Sequence, residues 1–573
     1  MKKITALFLA SIVALPCAFA VGCGDGGGSG TGGGKVDATK TQVYVAYMDA
    51  GFSNRWLLAV AERFEEAYAE YSFEEGKKGV EIVMDPMGSG NMAIDMGTKR
   101  SWIYFPEQYS TTEYVGSGVV ADITAAMTTS LGEPYGKDVN GKELPGYAGE
   151  TQSVYEKMTA QEKGYYVLDN NGTQKIYGIP YVDTYQGTLT YDADVFEKYG
   201  LYYKADNTLG GKKSTGEVLG TGPDGISGTA DDGLPRTYDE FFAVCRKMKL
   251  ECDTTPFTWA GNWTTYVAQL ALAMAFNNMG EEQFSDIMKG EGTLRDYIAT
   301  DVNEDGTYVT SEETFTETDC IQKMSHTAAV YNAVDFIYEI IKNDYAKTPE
   351  VFTASYSHEL AQADFIFGAD RLNDFGFLVD GTWWYNEAEK YIVQWENRGH
   401  DRKDRNVLYM ALPKVNEAEF ERLKGTNLVY SDYLTAACIK EGLTDMQQLL
   451  AETFLRFFCT NESLVEYHTV TSTARGLNYT MDTLEYEALT PYAKSLYNIH
   501  TSNAENGYGT YKVAKGYNAS DFYRLHASSF SARRVFESET SFGVQSLPAD
   551  AFYNYTSKGL TAVKYFNGIK AYH

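Results

Sequence analysis

Valine and tyrosine run through "QVYVAYM", Gln42 to Met48, without a charge, the pattern of a buried strand. The stretch that follows, "WLLAVAERFEEAYAEY", sets Leu57, Val60, Ala61, Phe64 and Tyr68 at helical spacing, so they share one face. "GVEIVMD" and "SWIYF" then read as two more strands. Strand, helix, strand in this order predicts a parallel sheet covered by helices. Ligand crevices in such sheets lie beyond the carboxyl ends of the strands, which here carry "DAGFSNRW", "MGSGN" and "PEQY".

Further along, the helices are punctuated. "PRTYDEFFAVCRKMK" carries Thr237 with Glu240 three residues on, a capping box, before Phe241, Val244, Cys245 and Met248 at helical spacing. "DADVFEKYG" starts acidic and stops at Gly200. Between them, Asn207 to Pro235 is rich in Gly and Asp and predicts an excursion on the surface. No internal repeat is evident.

The first residues have a different character. Lys2 and Lys3 precede the uncharged apolar run "ITALFLASIVALPCAFAVG", the layout of a secretory signal. "AVGC" resembles the lipobox of bacterial lipoproteins, in which the cysteine, here Cys23, is acylated and becomes the new amino terminus. The glycine-rich stretch after it predicts a flexible tether. The alternative is a plain signal peptide with a linker.

Composition narrows the partners. The chain has 573 residues, with 78 acidic against 49 basic side chains and a net charge of -29. Such a charge repels nucleic acid and anionic lipid, leaving the lipid anchor as the membrane contact. Aromatic residues make up 14% of the chain, led by 45 tyrosines, and flat rings with polar edges suit the faces of sugars. Beyond Cys17 and Cys23, the five cysteines have no regular spacing, which argues against a disulfide framework and for buried free thiols, with a Cys245–Cys252 pair as the alternative.

At "IYGIPYVDTYQGTLTYDADVFEKYGL", Ile176 to Leu201, the chain resembles the extracellular solute-binding proteins of ABC importers, especially those for carbohydrates. Tyr177, Gly178, Pro180, Tyr181, Tyr191, Phe196 and Gly200 carry the likeness, while Asp192 replaces the usual Asn. "GTWWYNEAEK" looks like the segment that brings a stacking tryptophan to the sugar cleft, and "LPKV", "YLTAACIKEG" and "FLRFFCTNESLVEY" follow in the expected order. The resemblance implies an α/β fold of two lobes, each a sheet flanked by helices, joined by hinge crossings. After the signal at 1–22 and the lipidated Cys and tether at 23–39, it divides the chain into a first lobe at 40–186 and 427–478 and a second at 187–426 and 479–573. It further implies a monomer on the extracellular face of the membrane, which captures an oligosaccharide and delivers it to permease subunits with an associated ATPase.

Candidate ligand contacts follow. Trp383 and Trp384 would point to opposite sides of an extended chain, Trp383 into the cleft. Trp259 and Trp263, four apart, would share a helical face beside Asn262. Asp183, Tyr185 and Gln186 lie where the first crossing passes the cleft, Tyr430, Asp432 and Tyr433 where the second does, and Asp49 and Asn54 in the loop after the first strand. Fixed polar groups of this kind would pair the hydroxyls that a sugar buries.

Metal and catalytic signatures are sparse. "DVNEDGTYVTSE" places Asp301, Asn303, Asp305, Gly306 and Glu312 at calcium-loop spacing, though Asn-Glu-Asp-Gly is also a good hairpin turn. Asp224, Asp231 and Asp232 form a second acidic set. "HELAQ" begins like a zinc protease motif, but Gln362 stands where the second histidine belongs. The phosphate-cradling loop and the nucleophile elbow are both missing from the sequence. A secreted glycoside hydrolase, which needs only two carboxylates, and a surface glycan-binding adhesin are the rival readings.

Overall fold

A computed structural model describes residues 36–48, 51, 53–87, 92–106, 111–170, 173–368, 374–431, 435–501, 511–515, 532–536, 538–539 and 545–569. Cys23, with the signal and most of the tether, lies outside them. Residues Asp37–His573 form one compact unit. No helix among the described residues is long and apolar enough to cross a membrane.

The predicted amino-terminal pattern folds as a sheet ordered Cys438–Ile439, Ile103–Phe105, Thr41–Tyr47, Val80–Pro86. The three amino-terminal strands are parallel, and the late strand adds antiparallel at one edge. Helix Arg55–Ala67 buries Trp56, Leu57, Val60, Ala61 and Phe64. The Trp56 ring sits among Phe105, Tyr181, Phe458 and Tyr467 at 5.2 to 5.8 Å, tying strand, crossing segment and two late helices together.

A second sheet is ordered Val407–Met410, Thr188–Asp192, Phe375–Asp380, Thr255–Trp259. Its strands are mixed: Thr188–Asp192 runs antiparallel to both neighbours, while Phe375–Asp380 and Thr255–Trp259 are parallel. Helix Thr265–Met279 packs against this sheet and against helix Ala328–Lys342. Its sequence "TYVAQLALAMAFNNM" is apolar nearly all round, as a helix covered on every side must be.

Asp192, where the resemblance expects Asn, caps helix Ala193–Tyr199 by accepting from the N–H groups of Asp194 and Val195. It is also the buried partner of Arg405, at 2.6 and 2.9 Å. A neutral Asn could cap, but it could not balance that guanidinium. The capping box at Thr237 forms only in half: the Thr237 hydroxyl accepts from Glu240 N–H, while the Glu240 carboxylate turns to the backbone and guanidinium of Arg236.

The Gly/Asp-rich excursion is less superficial than its composition predicts. Asp224 and Asp231 are buried, and the Asp231 carboxylate accepts from Asp224 N–H, from Thr229 Oγ1 and from Asn427 Nδ2. Asp232 accepts from Gly228 N–H. These oxygens therefore close the loop on itself. Burial, then the nearby Asp231 charge, pushes the Asp224 carboxyl up to about 7. The folded protein thus keeps a proton there that the unfolded chain releases near the ordinary 3.8, so this contribution to stability is complete at acid pH and is lost as pH rises toward 7. Asp224→Asn is expected to flatten that decline in urea midpoints taken from about pH 4 to about pH 8; an unaltered decline would contradict the assignment.

Three segments cross between the sheets side by side. Ile179 bridges Ala437, Thr435 Oγ1 donates to Val182 O, Ser431 Oγ donates to Thr184 O, and Asp183 N–H donates to Ala474 O. Strand Asn427–Ser431, expected with the first lobe, instead packs on helix Thr265–Met279, with Leu428 N–H on Asn277 Oδ1, so the second crossing starts after it. The tail lies with the second sheet: Tyr511–Lys515 pairs with Asn427–Ser431, and helices Pro548–Tyr555 and Ala562–Phe566 pack on Ala328–Lys342. The five described cysteines are free and buried.

Candidate functional site

The strand Phe375–Asp380 delivers a short turn, Gly381–Trp383, at its carboxyl end, and helix Trp384–Glu387 starts there. Because the two tryptophans meet on a helical turn and not on an extended chain, their rings part by about 100° per residue. Trp384 is fully buried, its Nε1 donating to Thr190 Oγ1 at 2.9 Å and its ring edge-on to Phe365. It is a core residue and not a ligand contact. Trp383 is half-buried, 6.0 Å from the Tyr266 ring and at 70° to it.

The Trp383 ring folds back over Gly381 so closely that a Cβ there would stand 2.1 Å from ring carbon Cη2. Only glycine leaves that space. Gly381→Ala is expected to displace the ring, lowering stability by about 1–3 kcal/mol and weakening ligand binding, read as a lower melting temperature together with a weaker titration. Retention of both would contradict the packing.

Beneath the turn lies a polar support. Asp380 Oδ1 accepts from Gly381 N–H at 2.7 Å, and Gln362 Nε2 donates both to Asp380 Oδ2 at 3.1 Å and to Glu387 Oε2 at 2.6 Å. His358 Nε2 stands 3.3 Å from Glu387 Oε1. The "HELAQ" helix thus uses its histidine and glutamine to hold carboxylates. Burial, and then the Glu387 charge, raises the Asp380 carboxyl well above the usual carboxylate range.

The other candidates divide. Trp259 ends a strand, fully buried with Nε1 donating to Val351 O at 3.0 Å, so it shares no helical face with Trp263 and is a core residue. Trp263 is 50% exposed in the turn before helix Thr265–Met279, beside exposed Asn262. Tyr430 is buried between Phe276 and Phe284, which corrects its assignment to the cleft. Asp183, Tyr185 and Gln186 are buried at the first crossing: Tyr185 OH donates to Asp183 Oδ2, and Gln186 N–H donates to Tyr430 O. Asn54 Nδ2 donates to Tyr47 OH at 3.1 Å, at the mouth of the first sheet. Asp49, Asp432 and Tyr433 lie outside the described residues.

The calcium-like stretch is the connection between paired strands Gly292–Ile298 and Thr310–Phe315. Asp305 Oδ1 accepts from the N–H and hydroxyl of Thr307, Asn303 N–H bonds Thr307 O, and Glu312 stands exposed on the second strand. Among the described residues no group of three or more His, Cys, Asp and Glu side chains could hold a metal. Asp301 is likewise exposed.

The fold and the Trp383 turn can be set beside known proteins. The family described as bacterial extracellular solute-binding protein matches residues 60–481. This chain belongs to that family. A search of curated proteins returns no match. Among solved structures, a chitin oligosaccharide binding protein is similar over 92% of this chain and 96% of its own, at 14% identity and a TM-score of 0.52, which shows the shared two-lobed fold. A solute-binding protein in complex with raffinose (13% identity, 92% and 98% covered, TM-score 0.47) and a maltose-bound protein of T. maritima (15%, 90% and 98%, 0.48) are also similar.

Two residues escaped the sequence reading. Arg55 opens its helix with no acidic side chain in the first turn, where the helix dipole disfavours a cation. That misplacement was the available signal for a partner elsewhere. Its partners are Asn386, 331 residues away, and the Glu389 carboxylate.

Proposed function

We propose that this solute-binding protein captures a carbohydrate, an oligosaccharide, between its two lobes and delivers it to an ABC permease, held at the extracellular face of the membrane by acylated Cys23. The observation that carries this is Trp383: a half-buried ring on the lip of the second sheet, braced by Tyr266 and Gly381 and facing the Gly51 loop of the first. Stacking on such a ring suits a sugar face, and the amides and hydroxyls nearby suit its edges. The similar chitin oligosaccharide binding protein supports the ligand class. Closure would work by differential contact: a ligand touching both lobes gains interactions only when they meet.

The protein binds without turning its ligand over. Titration with chitin oligosaccharide, raffinose and maltose, following tryptophan fluorescence and release of reducing ends together, tests this. Saturable fluorescence change with no release supports capture; steady release would instead establish a hydrolase.

A further inference from the structure

We propose that Arg55 and Asn386 form a clasp between the lobes that positions Trp383 and sets how far the lobes stand closed. The inference rests on the same cleft being the binding site, but its test needs no ligand.

The clasp is a closed circuit of directed bonds. Arg55, at the mouth of the first sheet, donates from Nη2 to Asn386 Oδ1 at 2.8 Å and stands 2.9 Å by Nη1 from Glu389 Oε1, both on the helical segments that follow Trp383. Asn386 returns a bond across the same gap, its Nδ2 donating to Gly51 O at 2.7 Å. One amide thereby accepts from one side of the first lobe's loop and donates to the other, which fixes its orientation. Asn386 is only 4% exposed, so opening the lobes would leave its desolvated groups to find new partners. Glu389 is in turn held by Arg402, whose Nη2 lies 3.3 Å away.

Trp383 meets the same loop. Gly51 has φ +66°, and a Cβ built there would be 3.2 Å from Trp383 Cδ1. The indole, the amide and the guanidinium therefore converge on Gly51 and Arg55, and the ring is located relative to the first lobe by the bonds beside it. Every contact in the circuit is protein to protein. The clasp thus contributes to closure in addition to whatever a ligand contributes, and removing it lowers apparent affinity by lowering the closed fraction.

The test uses the purified protein. Small-angle X-ray scattering without ligand compares wild type, Arg55→Ala, Arg55→Lys and Glu389→Gln, with thermal melts alongside. The clasp predicts a larger radius of gyration for Arg55→Ala, an intermediate one for Arg55→Lys and Glu389→Gln, and expansion of wild type toward the Arg55→Ala value as salt screens the ion pair. Melting temperatures should stay near wild type, since a fold defect is not the mechanism. For a sugar of the panel that binds wild type, Arg55→Ala should lose about tenfold in affinity. A wild-type radius of gyration in Arg55→Ala overturns the clasp; should that variant fail to fold, a wild-type radius in Glu389→Gln does so. If no sugar binds wild type, the ligand reading fails while the scattering still decides the clasp.

Discussion

Trp383→Ala is expected to leave the protein folded and to lower its affinity for oligosaccharide by about thirtyfold or more, the effect of deleting a central aromatic anchor worth at least about 2 kcal/mol. The fold should survive because the ring is half-buried and lies over Gly381, where its removal opens space to solvent and not to a sealed core. Trp383→Phe should retain part of the affinity, because a smaller ring still offers a face. Isothermal titration with the sugars that saturate the wild-type fluorescence reads both. Equal affinity in wild type and Trp383→Ala would remove the ring from the site.

The neighbouring tryptophan predicts the opposite. Trp384→Ala should destabilise the fold by about 3–5 kcal/mol, as large-to-small changes at sealed positions do. Its ring fills the junction of Phe365, Tyr385 and Tyr492, and its indole N–H satisfies Thr190 on the adjoining strand. The variant should show a lower urea midpoint with an unchanged slope. Below that midpoint its sugar affinity should stay within a few-fold of wild type, because Trp383 is held by Gly381, Tyr266 and Gly51 together with the Arg55–Asn386 clasp. Two adjacent tryptophans would then report separately on function and on stability.

That contrast also marks what the sequence could and could not disclose. The first sheet and its helix were legible because Val43, Val45, Leu57, Val60 and Phe64 follow the periods of strand and helix, and burial obeys those periods directly. The segment around Trp383 was legible as a landmark, yet the geometry assumed for it was extended, and the observed helical turn reassigns Trp384 to the core. Trp259 and Trp263 failed for a related reason: a spacing of four suits a helix, but the strand ends at Trp259 and the chain turns through Gly261 before the next helix begins. Tyr430 could not be placed from local pattern, since its neighbours Phe276 and Phe284 lie far away in the chain.

Polar fastenings were the least legible. Asp192, where the resemblance led one to expect Asn, meets Arg405 in space, and Glu240 leaves its capping role because Arg236 competes for its carboxylate. The Gly/Asp-rich excursion looked solvated because composition alone cannot show that Asn427 reaches Asp231. Each of these is a pairing between residues that no local period relates, and a charge in the sequence declares a need for a partner without naming it.

The claim beneath all of this is that an oligosaccharide lies between the two sheets against the Trp383 ring. A crystal structure of the protein with the tightest-binding sugar of the panel tests it most directly. The account predicts a sugar ring stacked on Trp383, with groups of both lobes on its hydroxyls and the lobes closed around it. Sugar seated elsewhere on the protein, or between the lobes with Trp383 untouched, would contradict it.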